Sequence, residues 1–207
     1  MGPPDRGLQP ARGDQAMTPT PITLTVNGEQ RTFTGDPASS LLRFLRDQCG
    51  DTTTKDGCSP QAACGACAVE LNGKVVLSCV IPMKKVAGGN VTTPAGLDQT
   101  PVGEALTDAF AARGGAQCAF CIPGIAVRAA NLIKSNPDPS EQDIRLALNQ
   151  HLCRCTGYQK IIESIQTAAE SLRTGNPVPR PDQSARVGAR REKYNIRPAI
   201  LGKRPYV

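Results

Sequence analysis

Residues 58–67 read CSPQAACGAC, which places three cysteines in a short loop rich in glycine and alanine. Cys79 follows after a later apolar run and completes a first quartet with the spacing Cys58-x5-Cys64-x2-Cys67-x11-Cys79. A [2Fe–2S] cluster takes four thiolates, and one known spacing of its ligands is C-x4-C-x2-C with a distant fourth cysteine. The quartet therefore predicts a [2Fe–2S] site with one additional residue between its first two ligands.

A second quartet occupies the C-terminal half, with the spacing Cys118-x2-Cys121-x31-Cys153-x1-Cys155. It also predicts a [2Fe–2S] cluster, although structural zinc sites made only of cysteine use C-x2-C pairs as well. Zinc therefore stays open for this quartet taken alone. For the first quartet it is disfavoured, because zinc sites usually offer two separated C-x2-C pairs.

Other uses of the cysteines fit the sequence less well. A thioredoxin-like redox pair at Cys118 and Cys121 is disfavoured because no βαβ pattern surrounds it. Cys49 belongs to neither quartet. We expect it to pack as a small buried apolar group near a helix end, with no part in metal binding.

The N-terminal half is predicted to be a small mixed sheet with one helix. Alternating apolar residues flank Asn27-Gly28 and again Asn72-Gly73, and Asn-Gly between such runs indicates a tight hairpin turn. The second hairpin returns Cys79 to the other three ligands of its quartet. Between the hairpins, Asp36-Pro37 predicts the start of a helix, with Asp36 as its N-cap, that ends near Cys49.

After about Pro94 the strand patterns stop and helical periodicity begins, with apolar residues at helical spacing. Gly114-Gly115, Pro123 and Ser140 mark helix ends and starts, and a last helix follows Gly157. This half is predicted to be a four-helix bundle that holds the second quartet among its helix termini.

The 207 residues thus divide into four predicted parts: a disordered leader at 1–19, a sheet domain at 20–95, a helical domain at 96–175 and an arm at 176–207. The arm carries eight basic and two acidic residues, which accounts for the whole net charge of +6. It lacks the interleaved aromatic residues of a base-stacking surface, so nucleic acid is not the expected partner. We expect an extended arm on a protein partner, and a solvated tail is the alternative.

The N-terminus has no apolar run of the length that a secretory signal needs and no twin arginine. No stretch approaches the roughly 18 consecutive apolar residues of a membrane span. The sequence therefore predicts a cytoplasmic protein without a transmembrane segment, in a compartment that keeps its thiols reduced.

The second quartet lies within two longer runs, QCAFCIPG at 117–124 and LCRCTGY at 152–158. Together with the first quartet, over roughly residues 20–173, they resemble the iron–sulfur subunit of the molybdenum hydroxylases, also called the xanthine oxidase or aldehyde oxidoreductase family. The resemblance implies an α+β chain: a β-grasp, plant-type ferredoxin-like [2Fe–2S] domain followed by a four-helix-bundle [2Fe–2S] domain. It also implies a heterotrimeric oxidoreductase with molybdopterin on a large subunit and FAD on a medium subunit.

The function that the resemblance implies is electron relay, with no substrate turnover and no catalytic residue on this chain. Electrons leave the molybdopterin centre, pass through the helical-domain cluster and then the sheet-domain cluster, and reach FAD or another acceptor. Gln117 and Cys155 are implied as cofactor-binding residues, and Gln117 is the one implied to reach the pterin. The implied metal ligands are the members of both quartets: Cys58, Cys64, Cys67, Cys79, Cys118, Cys121, Cys153 and Cys155.

The chain departs from the family pattern at Gln150-His151, where the family often has Gly-Asn, and in the five residues between Cys58 and Cys64. A Rieske centre needs two histidines, so the single histidine is interpreted as a non-ligand. Two other functions stay open: a stand-alone two-cluster ferredoxin, and an interaction module stapled by zinc.

Overall fold

The computed structural model shows an α+β chain, with a mixed sheet in the N-terminal half and helices in the C-terminal half. This order of elements confirms the predicted fold class at that level. The predicted leader lies outside the described residues, which are 20–98, 100–182, 184, 186–189 and 191–205. Within those ranges, none of the helices has the length and apolar character needed to cross a membrane.

Five short strands form the sheet, in the order β2-β1-β5-β3-β4. β1 pairs in parallel with β5, and the other three pairings are antiparallel. Both predicted hairpins are confirmed: the residues of Asn27-Gly28 and Asn72-Gly73 all have positive φ, as a type I′ turn requires. The strands are β1 Ile22–Val26, β2 Glu29–Phe33, β3 Ala68–Leu71, β4 Lys74–Leu77 and β5 Asn90–Thr92.

The first helix begins later than the sequence predicts. Asp36 does not cap it, because its carboxylate accepts the Ala38 N–H at 2.8 Å and closes a local turn instead. The N-cap is Ser40, whose hydroxyl accepts a backbone N–H one turn on. Helix α1 (Leu41–Arg43) then widens into a π-helical stretch, Phe44–Gln48.

The sheet-domain core lies between the sheet and this helix. Phe33 from β2 and Phe44 stack edge to face with ring centroids 5.6 Å apart. Leu24, Leu41 and Leu45 are buried beside them. Each such leucine contributes roughly 1.5–3 kcal/mol through burial, so the hairpin and the helix are held together by apolar packing.

Four longer helices build the C-terminal half, at the positions that the helix signals predict. α2 packs along α5, and Phe110, Ile125, Ile161 and Ile165 are fully buried among the helices. The connection from α4 to α5 carries two cysteines of the second quartet. The helices are α2 Pro101–Arg113, α3 Ile122–Ser135, α4 Glu141–Ala147 and α5 Gln159–Thr174, followed by the short α6 Arg197–Ile200.

The helical core also includes side chains from the basic arm, which the sequence did not predict. Ile196, Ala199, Ile200 and Leu201 are all buried in the same apolar cluster as the helices. The last part of the arm therefore folds back onto its own chain.

We expect the capping box of α4 to contribute measurably to stability. The Ser140 hydroxyl accepts the Asp143 N–H, and the Asp143 carboxylate accepts the Ser140 N–H. Ser140→Ala should lower the free energy of unfolding by about 1 kcal/mol, because it leaves an N-terminal amide of α4 without its acceptor. Denaturant unfolding followed by circular dichroism measures this.

Ser135→Ala is the matched control. The Ser135 hydroxyl donates to carbonyls of its own helix, at Leu132 (2.9 Å) and Asn131 (3.2 Å), and caps no helix start. Equal losses in the two variants would contradict the capping role of Ser140.

Candidate metal centres and their junction

The loop that carries the first three cysteines winds back on itself. Ser59, Ala62 and Gly65 all have positive φ. Successive turns of this kind aim backbone N–H groups toward one side, where they can bind anionic atoms. The amides of Ala63, Gln61 and Cys64 accordingly bond to the sulfur of Cys58, and these bonds, led by that of Ala63, lower the pKa of Cys58 to about 7.

The thiols of the first quartet lie in two pairs. The thiol of Cys58 is hydrogen-bonded to that of Cys64, and the thiol of Cys67 is hydrogen-bonded to that of Cys79. Cys79 arrives at the end of the second hairpin, in the 3₁₀ turn Ser78–Val80. The second pair is the buried one, and burial raises the pKa of Cys67 to about 12.

The second quartet is also divided into pairs. Cys118 and Cys155 are exposed, with their sulfurs 3.5 Å apart. Cys121 is buried at the start of α3, and its thiol is hydrogen-bonded to that of the half-buried Cys153. The pKa of Cys121 is raised, and burial is the largest cause. Burial also acts to raise the pKa of Cys153. Hydrogen bonds to its sulfur, the largest of them from the Thr156 hydroxyl, nevertheless lower this pKa overall.

These donor sets fit a binuclear cluster. Each iron of a [2Fe–2S] cluster binds two cysteine thiolates, so two pairs of thiols supply what one cluster needs. A structural zinc ion instead takes four ligands around one point.

The two cysteine-bearing segments approach each other closely at two glycines. A Cβ on Gly65 would lie 2.3 Å from the Gln150 carbonyl oxygen and 2.6 Å from His151 Nδ1. A Cβ on Gly124, in the first turn of α3, would lie 2.5 Å from the Gly65 carbonyl oxygen. Glycine is therefore required at both positions, because a side chain would separate the segments.

One hydrogen bond joins the segments directly. The Leu152 N–H donates to the carbonyl of Cys64 at 2.9 Å. Cys64 belongs to the first quartet, and Cys153 of the second quartet follows Leu152 in the chain. The sequence did not predict this junction. Its position coincides with Gln150-His151, where the sequence differs from the family pattern.

His151 fills the junction from the helical side. Its side chain is only 2% exposed, and both ring nitrogens lack a hydrogen-bond partner among the described residues. Burial, followed by the nearby Arg128 guanidinium, lowers the pKa of His151 to about 4. The ring is therefore neutral near pH 7 and packs against the loop at Gly65.

The other predicted residues lie at the surface or away from the quartets. Gln117 is exposed next to Cys118, and its main-chain carbonyl accepts a bond from the Lys193 ammonium. Leu152, on the segment that carries the second pair of cysteines, is 60% exposed. Cys49 is half buried beside the sheet-domain core, where burial raises its pKa.

Comparison with known proteins places both quartets in recognised domains. The family described as a 2Fe-2S iron-sulfur cluster binding domain matches residues 24–85, and the family described as a [2Fe-2S] binding domain matches residues 93–166. The nicotinate dehydrogenase small FeS subunit of Eubacterium barkeri is 36% identical over 154 residues, covering 74% of this chain and 98% of that protein. This chain belongs to the family of iron–sulfur small subunits of the molybdenum hydroxylases. The predicted family, its two [2Fe–2S] domains and its class as an oxidoreductase subunit are confirmed.

Longer relatives contain this subunit as one part. The aldehyde oxidoreductase of Megalodesulfovibrio gigas is 42% identical over 157 residues, which is 74% of this chain but 17% of that protein. A structure of aldehyde oxidoreductase from Desulfovibrio gigas superposes with a TM-score of 0.82 at 35% identity, covering 90% of this chain and 21% of that one. Quinoline 2-oxidoreductase from Pseudomonas putida 86 gives a TM-score of 0.69 at 36% identity, covering 75% and 97%.

We expect Gly65→Ala to destabilise the protein by more than about 2 kcal/mol. The alanine would combine a strained positive φ with a Cβ placed against Gln150 and His151. The control is Gly73→Ala, where φ is also positive but no atom lies within 4 Å of the added Cβ, so that only strain of about 1 kcal/mol is expected. Thermal unfolding midpoints of the iron-loaded variants give the comparison, and similar shifts in both would argue against the junction contact.

Proposed function

We propose that this chain relays single electrons from the molybdopterin centre of a large subunit to FAD on a medium subunit, or to another acceptor. Each [2Fe–2S] cluster, when bound, accepts and releases one electron at a time. Substrate turnover takes place on the large subunit. The proposed ligands are Cys118, Cys121, Cys153 and Cys155 for the helical-domain cluster, and Cys58, Cys64, Cys67 and Cys79 for the sheet-domain cluster.

The residues around each quartet bind and shield the cluster. The N–H groups of the 58–67 loop point at cysteine sulfur, and such bonds stabilise negative charge on a sulfur ligand. In each quartet one pair of thiols lies deeper than the other, so each cluster would have one protected side and one side nearer the surface. This arrangement keeps water from the inner side and leaves the outer side within reach of a partner.

The hydrogen bond between Leu152 and Cys64 is the observation that carries the proposal. From Cys153 Sγ, covalent bonds lead along the main chain to the Leu152 N–H, and from the Cys64 carbonyl they lead to Cys64 Sγ. A ligand of one quartet is therefore connected to a ligand of the other through a single non-covalent step. Two clusters held by unrelated domains would not need so close a contact.

The surface at Cys118 and Cys155 is the proposed contact with the large subunit. Both thiols are exposed, and Leu146 and Leu152 expose apolar side chains in the same half of the chain. Gln117 lies beside Cys118, and its side-chain amide can both donate to and accept from a pterin ring. We propose that Gln117 binds the pterin of the large subunit and that Cys155, beside it, is a cofactor-binding residue.

We propose that part of the basic arm also lies on a partner. Val187 and Tyr194 are almost fully exposed, although both are large and apolar in part. Val178 and the last residues of the arm, by contrast, are buried in this chain's own core. The exposed positions around Val187 and Tyr194 are therefore the part that we propose is available to another subunit.

The proposed domain boundaries are 20–95 and 96–175, with the helices of the second domain arranged as a four-helix bundle. We propose a cytoplasmic heterotrimer. A stand-alone two-cluster ferredoxin is the second candidate, but the match over 98% of a small FeS subunit and the exposed apolar residues favour an obligate subunit.

Iron analysis tests the cluster assignment. The isolated chain should contain about four irons and about four acid-labile sulfides, with two distinct EPR signals after reduction by dithionite. Cys67→Ser should remove the sheet-domain signal and Cys121→Ser the helical-domain signal. Cys49→Ser is the control and should retain both. Zinc without labile sulfide would refute the relay.

Leu152→Pro tests the link between the two quartets. Proline has no N–H, so the bond to Cys64 is lost, and we expect slower electron transfer between the clusters after rapid reduction of one of them. Leu152→Ala keeps the N–H and is the control, since the side chain is largely exposed. Equal transfer rates in both variants, at full iron content, would contradict the proposed connection.

A further inference from the structure

The C-terminal strap, defined here as residues 196–203, contacts both domains. Its apolar side chains, led by Ile196 and Ile200, are buried against α2 and α3. Arg197 adds ion pairs to Asp108 on α2 at 2.6 Å and to Glu192 at 2.8 Å. These contacts anchor the strap on the helical domain.

The other end of the strap binds the sheet domain. The Lys55 ammonium donates to the Gly202 carbonyl at 2.9 Å and to the Thr52 carbonyl at 2.7 Å. Lys55 is only 5% exposed, and burial lowers its pKa. A buried ammonium that loses one of its carbonyl partners is destabilised, so this contact constrains the segment that leads into Cys58.

Gly202 is wedged between the two domains. A Cβ there would lie 2.6 Å from the Thr53 carbonyl oxygen and 3.1 Å from Pro123 Cγ, and φ is +79°. Thr53 precedes the first quartet in the chain, whereas Pro123 follows Cys121 at the start of α3. The strap therefore touches the approach to one quartet and the helix that begins at the other.

We propose that the strap is a positioning element that fixes the two cysteine quartets relative to each other, with Lys55 and Gly202 as its positioning residues. This inference rests on the proposed function, because the quantity it sets is the distance between the two clusters. The Leu152–Cys64 bond and the close contacts at Gly65 and Gly124 join the two halves on one side, where α3 also packs on β3. The strap supplies a further contact, separate from these, which limits movement of the segment before Cys58 relative to the start of α3.

Two pairs of substitutions in the full chain test the proposal. Gly202→Ala forces the strap away from Thr53, and its control is Gly188→Ala, which also has positive φ but meets no atom within 4 Å. Lys55→Met removes the buried ammonium, and its control is Lys74→Met at an exposed position. A deletion that ends the chain after residue 195 removes the whole strap.

The readouts are the magnetic splitting between the two reduced clusters, measured by EPR, and amide hydrogen exchange at residues 51–57. Splitting decreases steeply with distance, so we expect a smaller or broader splitting in Gly202→Ala, Lys55→Met and the deletion. Exchange at 51–57 should be faster in the same three proteins. Both controls should behave as the unaltered chain, with equal iron content throughout.

Unchanged splitting and unchanged exchange in the point variants would overturn the proposal, as would faster exchange with unchanged splitting. If the deletion loses iron, Gly202→Ala and Lys55→Met decide the question. An unaltered chain without [2Fe–2S] signals would refute the proposed function. Amide hydrogen exchange at residues 51–57 would then be the one readout that tests the strap.

Discussion

The main-chain contact at Gly65 is the constraint on which the arrangement of the two quartets depends. At this point the loop of the first quartet, which has no side chain at Gly65, lies directly against the Gln150 carbonyl and the His151 ring. Gly124 permits the same closeness on the α3 side. Because these contacts are so close, the position of one cysteine loop determines the position of the other, and a rigid junction replaces what could have been a flexible linker.

In the proposed relay, the difference in sulfur exposure would give the helical-domain cluster an outer side and an inner side. The pair Cys118 and Cys155 is exposed, whereas Cys121 and Cys153 lie deeper. An electron that enters this cluster from its exposed side would leave it on the side of Cys153, which follows Leu152 and its bond to Cys64. The neutral His151 ring adds no net charge to this junction, so it fills the space without an additional electrostatic barrier.

Local signals predicted most of the elements, and the long-range contacts were not predictable from them. Asn-Gly pairs fixed both hairpins, and Ser140 marked a helix start, because these residues act on their own backbone. The prediction of Asp36 as a helix N-cap was wrong for the same reason, because an aspartate stabilises a turn as readily as a helix start. The Gly65 junction could not be predicted from the sequence, because glycine is used both in turns and where two segments pack closely. The strap reads as a basic tail because its few apolar residues are surrounded by charges.

Small side chains connect these features. Aromatic residues make up 3% of the chain and Trp is absent, while alanines such as Ala109, Ala126 and Ala168 are buried between the helices. Alanine and glycine allow backbones to approach closely, which the junction needs, but each buries less apolar area than a leucine or phenylalanine. Two domains of this size have marginal cores for that reason. Metal ligation contributes folding free energy where the core is thin, and a strap that buries Ile200 and Leu201 in the helical core contributes further apolar area. The close spacing that favours electron transfer and the thin core that requires such reinforcement are thus two consequences of the same composition.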